Sequence, residues 1–292
     1  MIIANIIGGL GNQMFQYATA RALSKKLDQP LLLDTSDFDG YQLHNGFELD
    51  QIFDIAPKLA SVSDLRNVLG WQASPIIRKA ISKKKFLFLR KRELIVEPYF
   101  QFWDELENIP QDAYLLGYWQ SEKYFKLIET TIRSDFSFKQ KMSSKNQEIA
   151  DEILKSNAVS IHIRRGDYLL NPAANKVHGL CSLEYYNKAI QYIVERVKNP
   201  SFFVFSDDID WAKTNLNISY PSVYVSHNQG AESFNDMRLM SLCNHNIIAN
   251  SSFSWWGAWL NKNPKKFVVA PKRWFNANLD VSDLLPSEWS RI

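Results

Sequence analysis

Cysteine is almost missing: Cys181 and Cys243 are the only two in 292 residues and lie far apart in the chain. That excludes a disulfide framework and a cysteine-based structural zinc site, and it fits a reducing, cytosolic compartment. Long apolar runs are missing too; nowhere do roughly 18 consecutive apolar residues occur, so no transmembrane helix is expected. The opening Met-Ile-Ile-Ala-Asn-Ile-Ile meets Gly8-Gly9 at once, too short and too uncharged at its start for a signal peptide. Neither charge sign dominates: 34 Lys+Arg against 31 Asp+Glu give a formal +3. This excludes a surface that is one polyanion-binding field, and with it nucleic acid as the partner. Any anion site must be local. Eleven Gly and eleven Pro without a period exclude a collagen-like or Pro-rich scaffold, and no internal repeat is found.

What is present is a chain 46% hydrophobic and 22% charged, enough for one large or two modest α/β domains. Ile2 to Ile7 is a β-branched run entering the turn Gly8-Gly9-Leu10-Gly11. Asn12 is placed to cap a helix reaching about Leu27, and Leu31 to Asp34 reads as the next strand. This is one βαβ unit, with its functional loop at the carboxyl end of the first strand. From about residue 40 to 150 the pattern is aromatic and irregular, read as mixed helix and loop, with eight Lys/Arg and no acid between Ile76 and Arg92. After a polar linker at Lys139 to Asn146, strands at 158–163, 202–205, 223–225, 247–249 and 267–270 alternate with helices at 182–198 and 232–243. Such alternation predicts a parallel sheet covered on both faces, with right-handed crossovers. The expected architecture is α/β, two Rossmann-like halves facing across a cleft, an N-terminal domain over 1–145 and a C-terminal one over 146–292.

Three strands of the second half end in dense polar clusters, and in an open parallel sheet such ends share one edge, where ligands bind. The first cluster is His162-Ile-Arg164-Arg165-Gly-Asp167. Strand alternation sends His162 and Arg164 to one face and leaves Arg165 at the turn. Two guanidiniums at the end of a buried strand call for an anion, and as a pair they neutralise a diphosphate without a metal. Asp167 either holds one of them or accepts a proton; the plainer reading is a structural Arg–Asp network. The second cluster, Ser206-Asp207-Asp208, suits a guanine edge or a ribose, and equally well a helix N-cap. Asp208-x-Asp210 matches a pattern that holds a divalent ion on nucleotide sugars, but beside an arginine pair a metal is redundant and none is expected. In the third cluster Ser251, Ser252, Phe253 and Ser254 open a helix whose N–H groups and hydroxyls suit the other side of a diphosphate. Burial against the sheet is the role expected of at least two of Trp255, Trp256 and Trp259.

The first loop carries a rival reading. Gly9-x-Gly11, with Asp34 at the end of the next strand, half-matches a dinucleotide fingerprint and points to an NAD-dependent oxidoreductase. Met14 stands where the third glycine belongs, and the reading leaves all three clusters unexplained. The glycines instead let a ligand approach the backbone, with the Asn12 amide turned toward it. A non-catalytic glycan-binding protein is the other rival.

Taken in order, Gly8-Gly-Leu-Gly-Asn-Gln-Met-Phe-Gln-Tyr17, His162-Ile-Arg-Arg-Gly-Asp-Tyr168, Ser206-Asp-Asp208, Asp236-Met-Arg-Leu-Met240 and Ala249-Asn-Ser-Ser-Phe-Ser-Trp-Trp256 resemble the bacterial α-1,2-fucosyltransferases of glycosyltransferase family 11, from one end of the chain to the other. The resemblance implies a GT-B-like fold and GDP-β-L-fucose as donor, bound mainly by the C-terminal half. It further implies an inverting, metal-independent transfer to the 2-hydroxyl of a terminal β-galactose of an oligosaccharide, with no cofactor besides the donor substrate. By position it puts Arg164 and Arg165 at the diphosphate with His162 and Asp167 beside them. Asp207 or Asp208 would meet guanine or ribose, Ser251, Ser252, Phe253 and Ser254 would line the phosphates, and Asp236 would belong to the donor set. Gly9 and Gly11 would shape the first loop, and Asn12 would lie near the reacting centre. Arg165, Asp167 and Asn12 are the expected catalytic residues, with Asp34 and Asp37 behind Asp167 as candidate bases. Animal members of the family carry an N-terminal membrane anchor; none is expected here. The basic block Arg78 to Arg92, with Phe86-Leu-Phe-Leu89 inside it, suits a peripheral contact with anionic lipid at the inner face of the cytoplasmic membrane. A solvated helix face is the plainer alternative.

Overall fold

The computed structural model describes residues 1–40, 44–166, 179–277 and 279–292. It divides into two compact units, Met1–Lys139 with Ser282–Leu284, and Gln140–Val281 with Leu285–Ile292. Each is built on one parallel sheet.

In the first unit β1 (Ile2–Asn5), β2 (Leu31–Asp34), β3 (Lys58–Leu59), β4 (Leu94–Val96) and β5 (Ala113–Leu116) run parallel in the order β3-β2-β1-β5-β4. The crossover helix α1 (Leu10–Leu27) joins β1 to β2. It is buried around most of its circumference, polar positions included, so it has no ordinary amphipathic stripe. Its buried glutamines are satisfied. Gln16 Oε1 accepts the Ile7 N–H at 3.0 Å, and Gln13 donates to the Gly8 and Gly46 carbonyls at 2.9 and 2.7 Å. After the single turn α2 (Leu49–Ile52), α3 (Val62–Leu69) opens with a reciprocal Ser61–Asp64 capping box. α4 (Pro75–Ile81) has proline in its first turn, where a missing N–H costs nothing. Leu65, Val68 and Leu69 of α3 and Ile81 of α4 pack on Ile3, Leu94 and Tyr114 of the sheet. α5 (Glu129–Asp135) ends the unit's helices.

β3, β4 and β5 fall in the stretch read as mixed helix and loop. They are two to four residues long, too short to show a period, and parallel pairing supplies no hairpin turn to announce them.

The second unit is more regular. β6 (Asn157–Ile163), β7 (Pro200–Ser206), β8 (Ser222–Val225), β9 (His245–Ile247), β10 (Val268–Ala270) and β11 (Ser290–Arg291) are all parallel, in the order β11-β10-β9-β6-β7-β8. Among the described residues its helices of a full turn or more are α6 (Ser144–Leu154), α7 (Leu183–Val194), α8 (Ile209–Asn215), α9 (Phe234–Leu242) and α10 (Ser252–Leu260). Val159, Ile161 and Ile163 of β6 meet Tyr185, Tyr186, Ala189 and Ile193 of α7 in the core. Trp255, Trp256 and Trp259 are all buried, so α10 uses its three tryptophans for packing. β9 begins and ends two residues before the expected 247–249, and α6 starts at Ser144, inside the span read as a linker. Both cysteines are free thiols. No helix among the described residues is long and apolar enough to cross a membrane.

Candidate active site

β6, β7 and β9 are parallel neighbours, so their carboxyl ends open on one edge of the sheet. The register sets Ile163 opposite Ser206. The residues that follow, Arg164-Arg165 on one strand and Asp207-Asp208 on the other, are thereby forced into opposition. Arg164 Nε lies 3.2 Å from Asp207 Oδ2 and Arg165 Nε 3.4 Å from Asp208 Oδ2. Asp207 also accepts the Arg165 backbone N–H at 2.8 Å. The Arg165 guanidinium lies 3.8 Å from the ring centre of Trp211 on α8, a cation–π contact. None of the four side chains is sealed off: Arg164 and Asp207 are each 25% exposed, Arg165 17% and Asp208 33%.

The carboxylates thus have another occupation than the guanine or ribose expected of them: they hold the guanidiniums. Asp208 also takes the helix-cap alternative, since its Oδ1 accepts the Trp211 N–H at 3.2 Å while Ser206 Oγ accepts the Asp208 N–H at 2.9 Å. Asp167 lies outside the described residues. His162 is 5% exposed, and its ring centre is 5.7 Å from that of Phe253. Burial first, and then the Arg164 charge, pull its pKa down to about 3, so the imidazole is neutral at physiological pH.

In the serine loop two of the hydroxyls have partners within their own turn. Ser251 caps α10 by accepting the Phe253 N–H at 3.3 Å. The buried Ser254 hydroxyl donates to the Ala249 and Ser251 carbonyls at 3.4 and 3.3 Å. The chain leaves β9 two residues early, and these hydroxyls take part in closing the turn into α10. Ser252 and Phe253 stay partly exposed. Asp236, in the first turn of α9, accepts from Asn228 Nδ2 at 2.8 Å. Asn228 exchanges hydrogen bonds of 2.9 and 3.0 Å with Asn146 of α6, whose Oδ1 lies 2.8 Å from His227 Nε2. Burial lifts the Asp236 carboxyl to about 7, the Asn228 bond opposing it.

On the carboxyl edge of the first unit, Gly8 has φ +88°, and a Cβ there would come within 3.0 Å of Asn12 Nδ2. The constrained glycine is therefore Gly8, rather than Gly9 or Gly11. Gly9, at φ −72°, is the N-cap of α1, and Gly11 is buried in its first turn. Asn12 consequently sits inside the helix and does not cap it; its Oδ1 accepts Gln120 Nε2 at 2.7 Å. Glu97, just past β4, accepts the Tyr118 and Trp119 N–H groups at 2.7 and 3.0 Å, and burial lifts its carboxyl to about 7.

Asp34 is 2% exposed and lies 3.0 Å from Arg78 Nη2; it accepts the Tyr114 hydroxyl at 2.7 Å and the Ser36 N–H at 3.0 Å. A carboxylate enclosed in this way neither deprotonates an acceptor hydroxyl nor binds a ribose, so one candidate base is removed and the dinucleotide rival loses its acid. Asp37 remains exposed and accepts Asn5 Nδ2 at 2.8 Å. Among the described residues no group of three or more His, Cys, Asp or Glu is arranged to hold a metal ion.

The family model described as glycosyl transferase family 11 matches residues 75–292. The chain belongs to glycosyl transferase family 11. This family 11 chain is 38% identical to an alpha-1,2-colitosyltransferase of Escherichia coli, over 100% of its own length and 99% of the relative's. It is 36% identical to the Escherichia coli O-antigen biosynthesis glycosyltransferase WbnK over 98% of each chain. To galactoside alpha-(1,2)-fucosyltransferase 2 of Sus scrofa it is 26% identical, over 88% of this chain and 68% of the other. In fold it is similar to the crystal structure of NodZ alpha-1,6-fucosyltransferase soaked with GDP-fucose, with a TM-score of 0.54 at 17% identity, covering 89% of this chain and 91% of that one. The fold is thus α/β with parallel sheets, GT-B-like, and the protein is a glycosyltransferase, neither an oxidoreductase nor a non-catalytic glycan binder.

Sequence reasoning missed Asn146, His227 and Asn228, whose cluster comes from distant segments, and it passed over Glu97. Glu97 did carry a signal, an acid directly after the apolar run Leu94-Ile-Val96, the same placement that drew attention to Asp34.

Proposed function

We propose that this family 11 enzyme transfers L-fucose from GDP-β-L-fucose to the 2-hydroxyl of a terminal β-galactose, with inversion and without a metal. The observation that carries the reading is the part-exposed arginine pair on the carboxyl edge of the second sheet, held by carboxylates that a diphosphate would displace. In this reading Arg164 and Arg165 swing from Asp207 and Asp208 onto the donor, and their fixed charge meets the negative charge that develops on the departing β-phosphate. Trp211 keeps the Arg165 guanidinium at the strand end while its partner changes. An inverting displacement needs the acceptor hydroxyl in line with the departing phosphate. GDP is a good leaving group, so positioning carries more of the rate than proton removal. The neutral His162 and part-exposed Ser252 and Phe253 complete the donor side of the proposal.

A second donor is favoured by the 38% identity to a colitosyltransferase. Colitose is L-fucose without its 3-hydroxyl. A site that hydrogen-bonds this hydroxyl rejects the deoxy sugar strongly, by about 10⁴-fold or more, whereas one without such a partner discriminates little. Transfer assays with both GDP sugars and a β-galactoside therefore decide between them: a kcat/KM ratio strongly in favour of GDP-fucose supports the proposal, and the reverse ratio replaces it. In the same assay Arg165→Ala is expected to lower kcat by at least ~100-fold, and excess EDTA to leave the rate unchanged. Near-normal turnover of Arg165→Ala, or EDTA inhibition reversed by Mn²⁺ or Mg²⁺, overturns the corresponding step.

A further inference from the structure

The basic block of the first unit does not behave as one charge run. Arg78 is 3% exposed and paired with Asp34, Arg90 donates to the Ile81 and Ser82 carbonyls, and Lys91 lies against the Val68 carbonyl and Glu93. Lys79, Lys83, Lys84, Lys85 and Arg92 are left; all five are exposed, and among the described residues none is in an ion pair.

The same short stretch of chain exposes large apolar side chains. Ile76 of α4 is 81% exposed; Leu87, Phe88 and Leu89, on the 3₁₀ segment Lys84–Leu89, are 62%, 80% and 44% exposed; Trp71, on the 3₁₀ turn Gly70–Ala73, is 58% exposed. They stand outward because their neighbours are anchored: Ala73, Ile77 and Phe86 pack against the core that contains Leu65, Ile81 and Tyr114. Leu89 is the least exposed of its trio, and Leu87 and Phe88 project farthest.

We propose that the surface carrying Trp71, Ile76, Leu87 and Phe88 with Lys79 and Lys83–Lys85 docks the enzyme on an anionic lipid bilayer. The chemistry matches in both parts. Exposed leucine, isoleucine, phenylalanine and tryptophan side chains enter the boundary between headgroups and acyl chains, and the lysines reach lipid phosphates while their methylene stems stay in the apolar zone. Neither part suffices alone: a few apolar side chains hold a protein only marginally on a membrane, and a local set of basic residues adds the attraction to anionic headgroups. A second copy is a poor occupant, because two identical basic faces would meet like charge with like charge. Nucleic acid would engage the lysines and leave Ile76, Leu87 and Phe88 without a role.

The test is flotation of the full-length chain with vesicles of phosphatidylglycerol and phosphatidylethanolamine, and with vesicles of phosphatidylcholine alone. Binding to the anionic vesicles at least tenfold tighter than to the neutral ones, weakening as salt rises, is the expected result. The triple exchange Lys83→Glu, Lys84→Glu, Lys85→Glu and the double exchange Leu87→Ser, Phe88→Ser should each lower binding to anionic vesicles at least tenfold. Because all five side chains are exposed, both variants should keep the parent melting temperature and parent transfer to a soluble acceptor. Failure of the parent to bind anionic vesicles at low salt overturns the proposal. So does lipid binding that survives both sets of exchanges, or RNA binding that depends on the lysines but is indifferent to Leu87→Ser, Phe88→Ser. A concentration-dependent dimer abolished by the same double exchange would replace the membrane by a second copy.

Discussion

Each half of this glycosyltransferase places an arginine against an aspartate at the end of a parallel strand, and the two pairings differ in one respect. In the first half Arg78 and Asp34 have side chains 4% and 2% exposed, enclosed with Tyr114; in the second, Arg164–Asp207 and Arg165–Asp208 keep between 17% and 33% exposure. The chemistry is the same and the burial is not. Removing one partner of an enclosed pair leaves an uncompensated charge in a poor dielectric, whereas an accessible pair exchanges its partner for water or an anionic ligand at small cost. The first pair is therefore architecture, and the second can be opened.

The sharpest way to break that comparison is to truncate one arginine in each half. Arg78→Leu strands the Asp34 carboxylate and is expected to cost about 3–5 kcal/mol in urea unfolding. Gly8→Ala comes next: a left-handed φ of +88° and a Cβ 3.0 Å from Asn12 Nδ2 predict a loss of about 1–3 kcal/mol in the same unfolding measurement. Arg164→Ala should change stability by less than ~1 kcal/mol while weakening donor binding, measured as a raised KM for the GDP sugar. Equal destabilisation by Arg78→Leu and Arg164→Ala would erase the distinction between the halves.

The comparison is sharpened from the other side by pH, where the halves are alike. Glu97 in the first and Asp236 in the second are both raised by burial to about 7. Between the ordinary carboxylate range and pH 7 the folded chain keeps a proton at each site that the unfolded chain has released. Their contribution to stability is thus complete at acidic pH and is lost as pH rises through about 7. His162 acts in the opposite sense. Lowered to about 3, it favours the folded state fully above its ordinary imidazole range and loses that contribution as pH falls toward 3. Glu97→Gln and Asp236→Asn should each flatten the decline in urea stability between pH 5 and pH 8, and an unchanged slope in both would show that neither carboxyl is held protonated.

The second half was largely legible because β6, β7 and β8 are four to seven residues of mainly apolar, β-branched and aromatic sequence, and β6 and β7 end abruptly in charge, at Ile163-Arg164 and Ser206-Asp207. The exception, β9, shows the limit: Ile247, Ile248 and Ala249 are all buried, so composition alone did not say where pairing stops. In the first half the strands β4 and β5 were hidden by their shortness, and the basic block around Arg78 read as surface although its first arginine is core. The hydroxyls of Ser251 and Ser254 showed in the sequence only as polar groups at a helix start, and their bonds to the backbone of their own turn came from its path.

Sequence by itself determined which residue types stand at the strand ends and which helices follow them, because both depend on neighbours within a turn or two along the chain: the glycine loop before α1, the arginines after β6, the tryptophan helix after β9. Tertiary structure alone decided what those residues touch. That Asp34 is neutralised by Arg78, that Asp207 and Asp208 hold the arginines, and that Glu97 and Asp236 keep their protons to about pH 7 all rest on packing between segments distant in sequence, and a charged group takes its properties from the partners and the solvent that packing leaves it.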